Sequence, residues 1–298
     1  MVSEKTFSII IAGGFHAPYR AEYHTFIEVK SGNSRTRNLG YVQREDPLMA
    51  ASWELVLHNG HLFLFDGRIC LIFDQGTWKQ HSVLNRRDIK VDAAISTEIG
   101  IFIFGYGFGN CKYEYLLNDQ NTWNISNKEV PGGFKGGSAI LIESKQEIWL
   151  IGGQGTEHRI LSFNIRDFTF KKLPLKLKIG RFGHRCAMIP GINKIMISGG
   201  HTYDGISRTS TEILDPETMS ITVSSPMNIP RAEHGMVWHG NRLAVFGGYD
   251  GSTELGSFEL YNTQTQKWEL TKEISLRKGK RGFGYLSVKN EMISKYLN

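Results

Sequence analysis

Cysteine is scarce in this chain, with three in 298 residues: Cys70, Cys111 and Cys186. They are too few and too scattered to staple a small fold or to close a zinc site. A reducing compartment, cytoplasmic or nuclear, is the simpler expectation. Proline is also rare, at 8 residues, and long apolar runs are missing. The N-terminal apolar core, Phe7–Ala12, is too short for a secretory h-region and far too short for a membrane span. Charged residues make up 21% and hydrophobic ones 40%, so no disordered tract is expected. The net charge of +6 biases partner choice without deciding it, and no RNA-binding motif accompanies it. Neither nucleic acid nor membrane is an expected partner.

Glycine, by contrast, is abundant, and it is periodic. The pairs Gly152-Gly153, Gly199-Gly200 and Gly247-Gly248 lie 47 and 48 residues apart, and Gly13-Gly14 precedes the first of them by 139, close to three periods. Two degenerate copies fill that gap, HLFLFDG ending at Gly67 and GIFIFGY ending at Tyr106. Each of the six glycine positions follows an apolar run, as a strand buried on both faces requires. A second phase recurs later in the unit. Trp268, Trp123 and Ile221 each fall nine residues after a glutamate (Glu259, Glu114 and Glu212), and Trp78 and Phe170 stand at the same point in two further units. An aromatic there is expected to lie against the next sheet. Turn signals separate the strands: Asn59-Gly60 and Gly240-Asn241 after the first, Asp215–Thr218 and Asn118–Asn121 before the last.

The clearest unit is Arg231–Leu270, with four short strands joined by tight turns. A sheet of that size cannot bury both faces alone and needs neighbours. The ends of the chain supply one. Phe7–Gly14 reads as a second strand without a first, and Arg281–Val288 matches Arg231–Trp238 at an offset of fifty. The C-terminal strand is therefore expected to complete blade one as its innermost strand. The tail Glu291–Asn298 is expected to be loosely held. The blades are placed at 7–45 (with 282–290), 46–84, 90–128, 134–174, 180–224 and 231–272 of one domain, 1–298.

A period near 48, four strands per unit, Gly-Gly closing the second and Trp in the fourth together resemble the kelch repeat. The resemblance implies an all-β, six-bladed kelch β-propeller with four antiparallel strands per blade. In such a blade the loop after strand two and the link to the next blade share a face. In kelch-like substrate-adaptor proteins, residues after the glycine pair and the arginine before the innermost strand commonly contact peptides. The positions implied here are Arg68, Gln154, His201, Tyr249, Arg181, Arg231 and Arg281. With nearby lysines and arginines they suggest a positive face for an acidic or phosphorylated partner. The arginines have a second reading, as structural ion-pair residues between loops. Glu114, Glu212 and Glu259 recur with the repeat and read as structural. His184 and His234, three residues after their arginines, read as packing residues rather than metal ligands.

The resulting expectation is a non-catalytic protein-interaction module with no cofactor, no metal and no catalytic residue. The resemblance implies substrate recognition for a ubiquitin ligase, through a cullin-adaptor complex, or binding of actin as a cytoskeletal adaptor. No BTB domain or F-box is read in the chain. The alternative is a propeller enzyme of the galactose-oxidase-like or sialate-mutarotase type, since fold alone does not settle function.

Overall fold

The computed structural model describes residues 7–16, 20–21, 24–30, 35–41, 53–85, 90–107, 111–189, 191–239 and 242–289. Gly240-Asn241 and the tail Glu291–Asn298 lie outside the described residues. Among the described residues there are six four-stranded antiparallel sheets. In the first, the order is Gly284–Lys289, Phe7–Ala12, His24–Lys30, Arg35–Tyr41. The other five follow chain order, their innermost strands being Trp53–His58, Lys90–Ser96, Ser138–Ile142, Arg185–Ile189 and Gly235–His239. Each innermost strand touches that of the next sheet, and Gly284–Lys289 touches both Gly235–His239 and Trp53–His58. The sheets thus follow one another around a ring, as blades.

Among the described residues no central core exists; the buried apolar residues form six clusters, each between two consecutive sheets. Strand alternation produces this arrangement directly. Ile9 and Ile11 face Phe246 and Phe258 of the sixth sheet, while Ile10 and Ala12 face Trp53, Leu55 and Leu62 of the second. The second strands are buried on both faces, as their apolar runs require: Leu62–Phe65, Ile101–Phe104, Ile148–Ile151 and Leu243–Phe246 are all covered. Fully burying one such side chain contributes about 1.5–3 kcal/mol. That stabilisation is spread around the ring, so every sheet depends on both neighbours.

The aromatic of the fourth strand is indeed buried between sheets, but against the preceding sheet rather than the next. Trp123 meets Phe65 edge-on at 5.6 Å and donates its Nε1–H to Ser82 Oγ at 2.8 Å, both in the second sheet. Trp268 joins Ile189 and Met196 of the fifth sheet, and Phe170 packs with Tyr113 of the third. The cross-strand register explains this. Trp268 pairs with Tyr261, and Tyr261 with Leu243, so all three occupy one face. Spacing along the chain identifies that row, whereas only the path of the chain around the ring decides which neighbour it meets.

The glycine pairs adopt a left-handed backbone that a side chain would strain. Gly199 and Gly200 have φ of 58° and 91°. A Cβ on Gly199 would lie 2.2 Å from the Arg231 carbonyl oxygen, and one on Gly200 2.7 Å from that of Phe182. Those carbonyls belong to the links into the sixth and fifth sheets, so the pair is where neighbouring links dock. The turns follow their chemistry too. Asn59 and Gly60 both have positive φ, and Asp215 Oδ1 accepts the N–H groups of Glu217 and Thr218 at 3.0 and 3.1 Å.

Candidate functional site: the loop face and its central funnel

Two of the candidate contact residues are not at the surface. Arg181 and Arg231 are completely buried. Arg181 donates to the Gly199 and Ser210 carbonyls at 2.7 and 2.9 Å and to Glu212 at 2.7 Å. Arg231 repeats the pattern one sheet later, donating to the Gly247 and Ser257 carbonyls at 2.9 and 3.0 Å and to Glu259 at 3.2 Å. Each glutamate also accepts backbone N–H groups of the incoming link: Lys178 and Ile179 on Glu212, Asn228 and Ile229 on Glu259. The Arg–Glu pair therefore fastens the end of strand two and the start of strand three to the link from the preceding sheet. This corrects the partner-binding expectation for Arg181 and Arg231, which have no exposed donor and lend the face no charge. In the third sheet Glu114 accepts the Asn85 N–H at 2.8 Å in the same way.

The histidines three residues further on are equally enclosed. Burial, with Arg181 and Arg185 nearby, holds His184 far below the usual imidazole range, and His234 is held down by burial and Arg185. Both are neutral. His234 Nε2 lies 2.8 Å from Ser198 Oγ. Among the described residues no group of three His, Cys, Asp or Glu side chains is arranged to hold a metal, and no helix is long and apolar enough to cross a membrane.

The remaining candidates divide into a cluster and two outliers. His201, Tyr249 and Arg281 come together across the fifth, sixth and first sheets. The Arg281 guanidinium lies 4.5 Å from the Tyr249 ring centroid and faces Glu254 at 3.6 Å and Glu233 at 4.0 Å. His201 is largely covered, with its ring 5.4 Å from Phe182 and 6.5 Å from Tyr249. It supports the loop more than it presents itself. Gln154 is exposed at the rim of the central opening, its N–H bonded to the Lys135 carbonyl at 2.8 Å. Arg68 is exposed on the two-residue turn between Asp66 and Ile69. On the same loops Tyr203 is 91% exposed and Ile206 53%.

The feature that sequence reasoning missed is a funnel in the ring centre, a cavity of about 170 Å³ open on the loop face. Its wall carries Phe15, Trp53, Glu54, Asp92, Phe182 and Arg185, with Lys90, Lys135 and Glu233 also facing it. Glu54 stands 3.7 Å from Arg185, whose Nε–H donates to the His234 carbonyl at 3.1 Å and whose plane lies 5.6 Å from the Tyr285 ring. The sequence signal for this site is faint. Glu54 and Arg185 share one phase of the innermost strand, opposite Phe65 and Ser198. The fourth, sixth and first sheets, however, have Ser138, Gly235 and Gly284 in that phase. A bulge between Val91 and Ala93 takes Asp92 out of that phase.

Burial pushes the Glu54 carboxyl up to about 7, opposed by Arg185 and reinforced by Asp92. Burial also lifts Asp92 to about 6, against Lys90, the Gly136 N–H, Arg185 and Lys135. Both groups hold a proton more tightly folded than unfolded. Their contribution to stability is therefore full below the unfolded range, about 4, and is lost as pH rises through 6 and 7. The melting temperature of Glu54→Gln relative to the parent is expected to rise between about pH 5 and about pH 8. The neutral histidines titrate with the opposite sign but are common to both proteins, so the difference isolates Glu54. A pH-independent difference would refute the assignment.

The sheets and the ring define an all-β propeller with four-stranded antiparallel blades. Residues 101–294 match the KLHDC2/KLHL20/DRC7 Kelch-repeats domain family, and the chain belongs to that kelch-repeat family. It is 33% identical over 98 residues to the F-box/kelch-repeat protein At1g67480 of Arabidopsis thaliana, a match covering 32% of this chain and 26% of the relative. It is 25% identical over 181 residues to spermatocyte protein spe-26 of Caenorhabditis elegans, covering 57% and 31%. Kelch-like protein 4 of Homo sapiens is 40% identical over 78 residues, covering 26% and 11%. The chain thus spans less than a third of the length of these curated relatives.

Proposed function

We propose that this chain is a non-catalytic recognition module that docks a protein or peptide partner on the loop face of a six-bladed ring, centred on the funnel mouth. The observation that carries the reading is the funnel itself. Its wall draws side chains from separate sheets, including Phe15, Trp53, Phe182 and Arg185, and exposed Tyr203 and Ile206 stand on the surrounding loops. Concave centres ringed by exposed aromatic side chains are where recognition energy concentrates. The expected role is substrate recognition for a ubiquitin ligase in the cytoplasm or nucleus. The names of the F-box/kelch-repeat and kelch-like relatives support that role. A cytoskeletal role on actin is the alternative within the same class. The case for an acidic or phosphorylated partner is reduced to Arg68, Lys90 and Lys135, because Arg181 and Arg231 are internally neutralised and Arg281 faces two carboxylates.

Affinity purification of the parent, of Tyr203→Ala and of Val223→Ala, an exposed position on the outermost strand of the fifth sheet, tests the reading. Capture is expected to fall about thirtyfold for Tyr203→Ala, the scale of a hot-spot truncation, and to be unchanged for Val223→Ala. Co-purifying cullin and adaptor would support the ligase role, and actin the cytoskeletal one. Equal capture by all three proteins would remove the loop face from consideration.

A further inference from the structure

We propose that the funnel receives one cationic side chain of the partner, a lysine or an arginine, with its charge held by Asp92 and Glu54. The inference rests on the loop face being the docking face, and it names what the centre of that face selects.

The argument is a charge census by depth. Three ionisable groups line the deep wall: Asp92, only 8% exposed, Glu54 and Arg185. Two are carboxylates and one is a guanidinium. Arg185 is already engaged by the His234 carbonyl and the Tyr285 ring, and its approach to Glu54, 3.7 Å, is longer than a hydrogen bond. Asp92 accepts the Gly136 N–H, yet its Oδ2 is buried with no hydrogen-bond partner among the described residues. A carboxylate oxygen removed from water without a partner is costly, and it calls for a proton or a cation. The upward displacement of both carboxyls is the proton answer, given in the unbound protein.

Over the whole funnel three carboxylates face three cations, and Lys90 and Lys135 act on Asp92, so the acidic character is confined to the deep wall. Lys90 and Lys135 are exposed, and the Lys135 ammonium lies 4.8 Å from the Tyr106 ring centroid at the rim. Glu233, on the opposite side, adds a third carboxylate, directed toward Arg281 at 4.0 Å. The walls suit the stem of the incoming residue. Phe15 and Phe182 give apolar surface for the methylenes of lysine or arginine and ring faces for the charge. An anionic side chain would instead approach two carboxylates, and an apolar one would desolvate them further without pairing them.

The test uses the full chain and four small probes: the N-acetyl amides of arginine, lysine, citrulline and aspartate, followed by NMR titration. Arginine and lysine probes are expected to bind in the millimolar range. Citrulline, which keeps the shape of arginine without its charge, is expected to bind at least about tenfold more weakly. Asp92→Asn is expected to weaken the arginine probe by a similar factor, Asp92→Glu to retain most of the affinity, and Asp204→Asn, on a loop outside the funnel, to change nothing. Equal binding of citrulline, tighter binding of aspartate, unchanged affinity in Asp92→Asn, or no binding of the cationic probes would each overturn the proposal. If the probes fail while Tyr203→Ala still loses the partner, the cation assignment falls and loop-face docking stands. Probe binding with partner capture indifferent to Tyr203 would remove the docking reading, and with it the claim that the cation belongs to a partner.

Discussion

Arg231→Ala is expected to destabilise the protein by about 3–5 kcal/mol, the cost of stripping one partner from a buried ion pair. The geometry explains the size. The side chain is completely buried and donates to Gly247 O, Ser257 O, Ser257 Oγ and Glu259. Truncation leaves two carbonyls without these donors and a buried carboxylate supported only by Asn228 and Ile229. A thermal melt is expected to fall by about 10 °C, since each kcal/mol moves the midpoint by about 2–4 °C at this size. Glu259→Gln alone should cost less, because the amide keeps an acceptor for the same backbone donors. The double variant should cost less than the sum, because the two side chains are coupled. Arg181→Ala, which breaks the corresponding pair with Glu212 in the fifth sheet, should behave alike. A partner-contact role predicts the reverse pattern, an unchanged melt with lost capture, so an unshifted midpoint would defeat the structural assignment.

The co-occurrence of residues contained that distinction before any coordinates did. Arg181 and Arg231 both stand in units that carry a glutamate in the third strand, Glu212 and Glu259. Arg281 turns out not to be their counterpart. The expected offset of fifty is one residue too long: Gly284 pairs with Ala12 as Gly235 pairs with Phe246. The Gly248 N–H donates to the Lys280 carbonyl as the Gly200 N–H donates to that of Arg231, so buried Lys280 holds the arginine position and Arg281 that of Ala232. Arg281 accordingly remains partly exposed and meets Glu233 and Glu254 on the loops. The glycine pairs and the polar turns were legible for a simpler reason. Each is a local requirement of a repeated backbone and recurs at a fixed interval.

The funnel was hidden because the phase that Glu54 and Arg185 share carries no charge in the other sheets. Glu54, Asp92 and Arg185 lie on three different innermost strands, and only ring closure brings them to a common wall. The bulge at Val91–Ala93 removes even the shared phase from Asp92. The side of the sheet to which Trp123 and Trp268 turn was hidden for a related reason. Alternation fixes which residues share a face, but not which neighbour that face meets.

Deleting the C-terminal segment 281–298 is expected to abolish cooperative folding. The strand Gly284–Lys289 pairs with Phe7–Ala12 over six residues, from Phe7 opposite Lys289 to Ala12 opposite Gly284. Without it Phe7–Ala12 becomes a bare apolar edge, an invitation to aggregation. Two further losses follow. Phe246 gives up its ring contacts with Phe283 at 5.6 Å and Tyr285 at 5.8 Å. The ring also opens between Gly235–His239 and Trp53–His58, which Gly284–Lys289 joins. Buried Phe283 and Val288 alone represent about 1.5–3 kcal/mol each, against a total stability of about 5–15 kcal/mol for a domain. The backbone ladder and the exchanged Phe15–Arg281 hydrogen bonds come on top. The shortened chain should show no sharp melt and should sediment as aggregate, and a synthetic 281–298 peptide added during refolding should restore the transition. Phe283→Ala is the graded version, expected to cost about 3–5 kcal/mol while leaving the strand in place. A truncated chain that melts at the parental temperature would mean that the ring does not need its clasp. The N- and C-terminal strands would then be neighbours in the sheet without being mutually required.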